Sequence, residues 1–226
     1  DRLNFTYSLF DVVILDHFRG YLENYVVKSK SKNGLFGQWE KTLGQTIIDH
    51  FVSNKSRVIA EDVDFHSQEL NQVLLSLKIK DERVIEFGYP REMGNNNRPK
   101  NYTYQNISFS STHDCLPLKA YLESLSEQDR KEAVVQINKD CRHFGVDMVK
   151  EDDTKSQVNA LLQLNLASLS CIAIQSMSDL LYQGIEGRIN APSTVGNNWV
   201  YRITKEDLKK TESKSLYLLN RRYGRC

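Results

Sequence analysis

Proline and glycine are scarce in this chain, at 4 and 11 of 226 residues. That leaves little material for low-complexity linkers and excludes a collagen-like repeat. An excess of either charge is lacking as well. Thirty basic and 29 acidic side chains leave a formal charge of +1, so there is no basic footprint for nucleic acid or for an acidic membrane. Apolar runs are short, Val12–Leu15 being typical, and none approaches the ~20 residues that cross a bilayer. The four cysteines, at 115, 141, 171 and 226, are widely and irregularly spaced, with no CxxC pair. A disulfide framework is therefore disfavoured, and reduced thiols in a cytoplasmic protein are expected. Cys141-x-His143 could be half of a zinc site, but no second half has matching spacing. Neither G-x-G-x-x-G nor a P-loop is present, which argues against dinucleotide and nucleotide-phosphate sites. The sequons at Asn4, Asn54, Asn101 and Asn106 are what an Asn- and Ser-rich chain produces by chance. An initiator Met is also missing. Asp1 leads quickly into an apolar strand, so either a leader has been removed or the chain begins inside a domain.

What remains is a globular composition, 40% hydrophobic and 26% charged, on a chain long enough to bury a core. Val12–Leu15 reads as a buried strand of parallel type ending in Asp16. The lysine-bearing stretch around Lys28, Lys30 and Lys32 reads as a solvated loop, followed by a short helix over Gly44–Phe51. Arg57–Ala60 is a second strand, ending in Glu61. Ser67 opens a helix with Leu70, Val73, Leu74 and Leu77 on one face. Arg83–Phe87 is expected as a third strand, Gly94–Arg98 as a polar turn, and Asn106–Ser111 as a fourth strand leading to Asp114. A helical stretch covers 116 to 144, its second part capped by Ser126, striped by Val134, Ile137, Cys141 and Phe144, and stopped by Gly145. Thr154-x-x-Gln157 reads as a capping box for a helix over 155–169, and Cys171–Ser176 as a fifth strand. Thr204 caps a last helix whose Leu208 and Leu216 are expected to pack inward. Strand alternating with helix predicts an α/β fold with parallel strands.

Three of the five expected strands end in an acid: Asp16, Glu61 and Asp114. A single acid after a strand is commonly a helix cap. Three of them at one sheet edge resemble a site, because clustering carboxylates costs free energy that a purely structural sequence avoids. Glycoside chemistry would use one as nucleophile, one as acid/base and one to hold hydroxyls. Metal binding and aldol-type chemistry compete with that reading on spacing alone.

Specific strings narrow the choice. Asp11 to Gly20 (DVVILDHFRG) resembles the nucleophile strand of the 4-α-glucanotransferases, the amylomaltases and disproportionating enzymes. Ile59 to Asp62 (IAED) is similar to their acid/base strand, and Pro99 to Tyr102 (PKNY) to a Pro-His-Asn-Tyr element. Thr112 to Asp114 (THD) resembles their Thr-His-Asp motif. Arg188 to Pro192 (RINAP), Gly196 to Trp199 (GNNW) and Tyr201-Arg202 resemble their C-terminal signature. The matches keep their order and cover nearly the whole chain.

The resemblance implies a (β/α)8 TIM-type barrel, with residues 1–226 as its C-terminal part, about strands 4 to 8, and the N-terminal half of the barrel outside the chain. It implies transfer of α-1,4-glucan segments between maltooligosaccharides by a retaining double displacement. Asp16 would be the nucleophile, Glu61 the general acid/base and Asp114 the transition-state stabiliser. His113 would donate to sugar hydroxyls and Asn190 would line the donor subsite. His17 would either touch substrate or pack, hydrogen-bonded, beside the nucleophile. No metal or organic cofactor is implied, and the partners are α-1,4-glucans rather than nucleic acid or membrane. The competing reading is a catalytically impaired fragment or a non-catalytic glucan-binding module.

Some positions depart from the family pattern. Ile14 stands where the family has Arg, two residues before the nucleophile and on the same side of the strand. An isoleucine there is expected to desolvate Asp16 and raise its pKa. Cys115, Ser178, Lys100 and Ser193 replace Asn, Gln, His and Gly. Trp39 and Trp199 suit sugar stacking, but core packing is the commoner role for such residues.

Overall fold

The computed structural model of the chain describes residues 2–44, 46–48, 57–61, 68–90 and 95–226. They form two compact units, Asp1–Glu82 and Arg83–Cys226, and strand β5 runs across the boundary.

The first unit begins with α1 (Arg2–Leu9). Its C-terminal carbonyls are satisfied by Arg57, which donates to Tyr7 O at 2.6 Å and to Asp11 O at 2.9 Å. Next comes β1 (Val13–Leu15). Its side chains alternate as the pleat requires, Leu15 inward and Ile14 outward. A hairpin follows, β2 (Glu23–Val26) and β3 (Gln38–Lys41), paired antiparallel. Lys28, Lys30 and Lys32 lie in the loop between them, as expected, while the two flanking strands are not expected from the sequence pattern. Strand β4 (Val58–Ala60) lies parallel to β1, with Leu15 opposite Ala60. Helix α2 (Gln68–Leu77) buries Leu70 and Leu74 against Leu15, Phe18, Val58 and Ile79, each burial contributing about 1.5–3 kcal/mol. Gly44 and residues 46–48 are helical, but the rest of the helix expected over Gly44–Phe51 lies outside the described residues, as does Ser67.

The third parallel strand is β5 (Lys80–Val84), not Arg83–Phe87. Its register, Ile59 opposite Lys80 and Ala60 opposite Asp81, starts the strand on charged residues. Asp81, Glu82 and Arg83 are all buried, while Ile85–Gly88 turns into a 3-10 helix.

In the second unit, Asn95–Asn97 forms a 3-10 turn. Strand β6 (Asn106–Phe109) pairs parallel with β7 (Ile172–Ile174), both shorter than expected. The helical stretch breaks into α3 (Leu118–Ser124) and α4 (Glu127–Phe144) where Leu125 and Ser126 are extended. Ser126 Oγ accepts the Asp129 N–H at 3.1 Å, and Gly145 closes the helix at φ 65°, as expected. Helix α5 (Thr154–Ala167) is capped by Asp153, whose Oδ1 accepts the Ser156 N–H at 3.0 Å, rather than by a Thr154 box. Gln157 instead turns back to the Glu151 carbonyl. Leu118, Leu122, Ile137, Cys141, Val158 and Leu161 form the core. Beside it lies a buried ion pair. Arg98 donates to both oxygens of Asp140 at 3.0 and 2.7 Å, and Tyr89 Oη adds a third bond at 2.7 Å.

After the short α6 (Met177–Leu180), the expected last helix is two: α7 (Lys205–Lys210), capped by Thr204 with Asp207, and α8 (Ser213–Arg222). Leu208 is 54% exposed, so it does not pack inward. No helix among the described residues is long and apolar enough to cross a membrane.

Candidate active site

In the first unit, parallel pairing of β1 with β4 carries Asp16 and Glu61 out of the same end of neighbouring strands. The Glu61 N–H bonds Leu15 O at 2.9 Å, and the Phe18 N–H bonds Glu61 O at 2.8 Å. The Asp16 side chain lies close enough to raise the pKa of Glu61. Partial burial first, then the neighbouring Asp16 and the charge of Glu82, push Glu61 up from 4.5 to about 8. The His17 N–H donates to Glu61 Oε2 at 2.9 Å and opposes the rise. His17 adopts a left-handed conformation, φ 48°, to aim that N–H. Its ring lies over Gly20, where an added Cβ would meet Cδ2 at 2.9 Å.

A third carboxyl in this unit was not anticipated. Glu82, inside β5, is buried and pushed up to about 7 by desolvation and by Asp16. The four successive charges of Lys80 to Arg83 hid the strand that positions it.

Ile14, on the same side of β1 as Asp16, is 46% exposed.

In the second unit, Asp114 stands not at a strand end but in a turn, Thr112–Cys115, five residues beyond β6. Asp179 Oδ2 accepts from Ser110 and Ser111 Oγ at 2.6 and 2.7 Å, and its Oδ1 accepts the Leu118 N–H at 2.7 Å. That buried carboxyl staples both ends of the segment holding the turn. Asn190 Nδ2 donates to Asp114 Oδ1 at 2.6 Å, and the Asn190 N–H bonds His113 O at 3.0 Å. His113 Nε2 lies 3.4 Å from the same Asp114 oxygen. The His113 ring stands 5.1 Å from Trp199, and Arg188 Nε holds Asn190 O at 2.8 Å. The strings around Asn190 and Trp199 thus fold back on His113 and Asp114. Both tryptophans are surface residues rather than core: Trp39 is 50% exposed and Trp199 56%.

The structure therefore joins Asp16, His17 and Glu61 in one cluster and His113, Asp114 and Asn190 in another. The first sets a carboxyl pushed up to about 8, Glu61, beside the Asp16 side chain. The second presents a fixed carboxylate and an imidazole beside an indole face. Among the described residues no group of His, Cys, Asp and Glu could hold a metal ion.

A family model described as 4-alpha-glucanotransferase matches residues 1–208. The chain belongs to the 4-alpha-glucanotransferase family. A 4-alpha-glucanotransferase of Aquifex aeolicus is 32% identical over 214 residues, 93% of this chain and 41% of that protein. The chloroplastic/amyloplastic 4-alpha-glucanotransferase DPE1 of Arabidopsis thaliana is 27% identical, over 100% of this chain and 38% of that protein. The fold is similar to that of an amylomaltase from Streptococcus agalactiae in complex with acarbose. The TM-score is 0.82 at 22% identity, covering 99% of this chain and 43% of that one. The chain spans about two fifths of the length of these glucanotransferases.

Proposed function

We propose that the chain carries the catalytic carboxylates of a 4-alpha-glucanotransferase that moves α-1,4-glucan segments between maltooligosaccharides. The observation behind this is the placement of Asp16 and Glu61 just past the same end of the paired strands β1 and β4, where burial and the nearby Asp16 push the Glu61 carboxyl up to about 8. Retaining glycoside chemistry needs that division of labour, one carboxyl that attacks and one that arrives protonated.

Asp16 attacks the anomeric carbon as the bond from that carbon to the 4-oxygen of the next glucose breaks. Glu61 gives its proton to the departing oxygen. In the second half, Glu61 takes the proton of an acceptor 4-hydroxyl. That oxygen bonds the anomeric carbon, and the ester to Asp16 breaks. Asp114, pinned by Asn190, stabilises the oxocarbenium-like transition state. His113 donates to sugar hydroxyls, and Trp199 backs its ring. His17 acts through its backbone N–H on Glu61. No step uses a cofactor. The acarbose held by the streptococcal amylomaltase of similar fold supports a saccharide as ligand. The parallel strands are read as the fourth to eighth of a (β/α)8 barrel completed by an N-terminal half. Four unpaired cysteines suit a cytoplasmic setting. An acid and a nucleophile at adjacent strand ends argue against a non-catalytic glucan-binding module.

The test is incubation with maltotriose. Glucose and longer oligosaccharides are expected, and Glu61→Gln should lower turnover by about a hundredfold or more. Release of hydrolysis products alone, or no product, would overturn the assignment.

A further inference from the structure

We propose that the β2–β3 hairpin is a glucan-docking platform, holding by aromatic stacking the part of an α-1,4-glucan remote from the bond being exchanged. This rests on the transferase reading above.

Tyr25 and Trp39 stand directly opposite each other in the hairpin register. Their side chains share one face with Glu23 and Lys41, because alternate residues point the same way. The rings meet edge to face, with centroids 5.4 Å apart. The Arg19 guanidinium lies 3.9 Å from the Trp39 ring centre, held there by two hydrogen bonds to Glu23 Oε1 at 3.0 and 2.7 Å. The Tyr25 hydroxyl accepts the Gly37 N–H at 3.0 Å. Gly37 has no room for a side chain, since a Cβ would come within 2.4 Å of the Tyr25 ring. Both rings are thus locked in place, yet Tyr25 is 42% exposed and Trp39 half exposed.

Rigidity and exposure together need a reason. A two-stranded ribbon on its own is marginal in water, and all four β3 residues are exposed. Aromatic surface fixed in water is unfavourable unless something covers it. The chemistry around the rings points to a sugar. A pyranose offers a C–H face that lies on an indole and hydroxyls at its edge that bond carboxylate, guanidinium and ammonium groups. Glu23, Arg19 and Lys41 supply those groups around the rings. They also interrupt the apolar patch, which suits a sugar better than a broad hydrophobic protein interface.

The platform is tied to the segment that carries Asp16. Arg19 follows Asp16 by three residues. The hairpin is rooted in the 3-10 turn Phe18–Tyr21 by the Thr42 N–H on Leu22 O at 3.0 Å and Thr42 Oγ1 on Tyr21 O at 2.5 Å. A maltooligosaccharide reacting at Asp16 extends from the same short segment that carries the rings.

The experiment compares the full-length protein with its Trp39→Ala and Trp39→Phe variants, using maltotriose and maltoheptaose as substrates and amylose-containing gels for direct binding. Trp39→Ala is expected to raise the ratio of the maltoheptaose KM to the maltotriose KM by about tenfold. It should also abolish most of the retardation by amylose, with Trp39→Phe restoring both. An unchanged KM ratio and unchanged retardation would overturn the platform and leave the transferase assignment standing. Loss of both properties in Trp39→Ala without rescue by phenylalanine would also overturn it, assigning Trp39 to the integrity of the hairpin. Retardation that depends on Trp39 in a protein that transfers nothing would support the platform and overturn the transferase assignment instead.

Discussion

Replacing Asp16 by Asn should release the proton that Glu61 holds. Glu61 is pushed up from 4.5 to about 8, by desolvation first, then by the neighbouring Asp16 and by the charge of Glu82. Asp16→Asn removes the Asp16 charge and leaves the desolvation, so the midpoint falls while staying above the ordinary value. The assay is a pH titration of the Glu61 carboxyl by carbon-13 NMR in both proteins. The linked effect on stability has a definite sign. Below pH 4.5 the group is protonated whether the chain is folded or not. Between 4.5 and about 8 the unfolded chain has lost a proton that the folded chain keeps, so stability falls as pH rises through that window. Full burial would make the loss about 5 kcal/mol. Half of the carboxyl remains in water, so about 2 kcal/mol is expected. The transfer reaction should share a basic limb near pH 8, where the acid is lost. A wild-type Glu61 midpoint near 4.5, or a midpoint that Asp16→Asn leaves in place, would refute this account of Glu61.

Two further perturbations test other parts of the chain. Ile14→Arg brings a guanidinium to the face of β1 that carries Asp16, so the single-turnover rate of glucosyl transfer to the enzyme should rise and the basic limb should move to lower pH. No gain in that rate would sink the idea that position 14 tunes the nucleophile. Asp140→Asn leaves the Arg98 guanidinium buried without its counter-charge and should cost about 3–5 kcal/mol of stability by urea denaturation, whereas a loss below about 1 kcal/mol would show that Tyr89 and Gln136 suffice to hold Arg98.

Much of this was legible in the residues, for identifiable reasons. Val12–Leu15 and Arg57–Ala60 are β-branched runs cut off by an acid, and both became parallel strands with Asp16 and Glu61 just past their ends. Leu70 and Leu74 recur at helical spacing, and Ser126 and Gly145 carry cap chemistry that acts locally. The hairpin was hidden because neither strand has a core to face: β3 is Gln-Trp-Glu-Lys, exposed throughout, and shows no apolar alternation. Strand β5 was hidden for the opposite reason, since Asp81, Glu82 and Arg83 are charges that its position in the sheet buries. Glu82 could not be recognised without that strand. Asp153 displaced Thr154 as a cap because Gln157, the other half of the supposed box, had carbonyls to bond in the preceding loop.

Asp16 stands among the causes of the raised Glu61 pKa because it is negatively charged when free. Once Asp16 carries a glucosyl group it is a neutral ester, and that charge is gone. Glu61 then gives up its proton more readily, at the stage of the exchange when it must act as a base. The acid and the nucleophile thereby keep time with each other: forming the ester turns the proton donor into the proton acceptor, and breaking it turns the acceptor back into a donor.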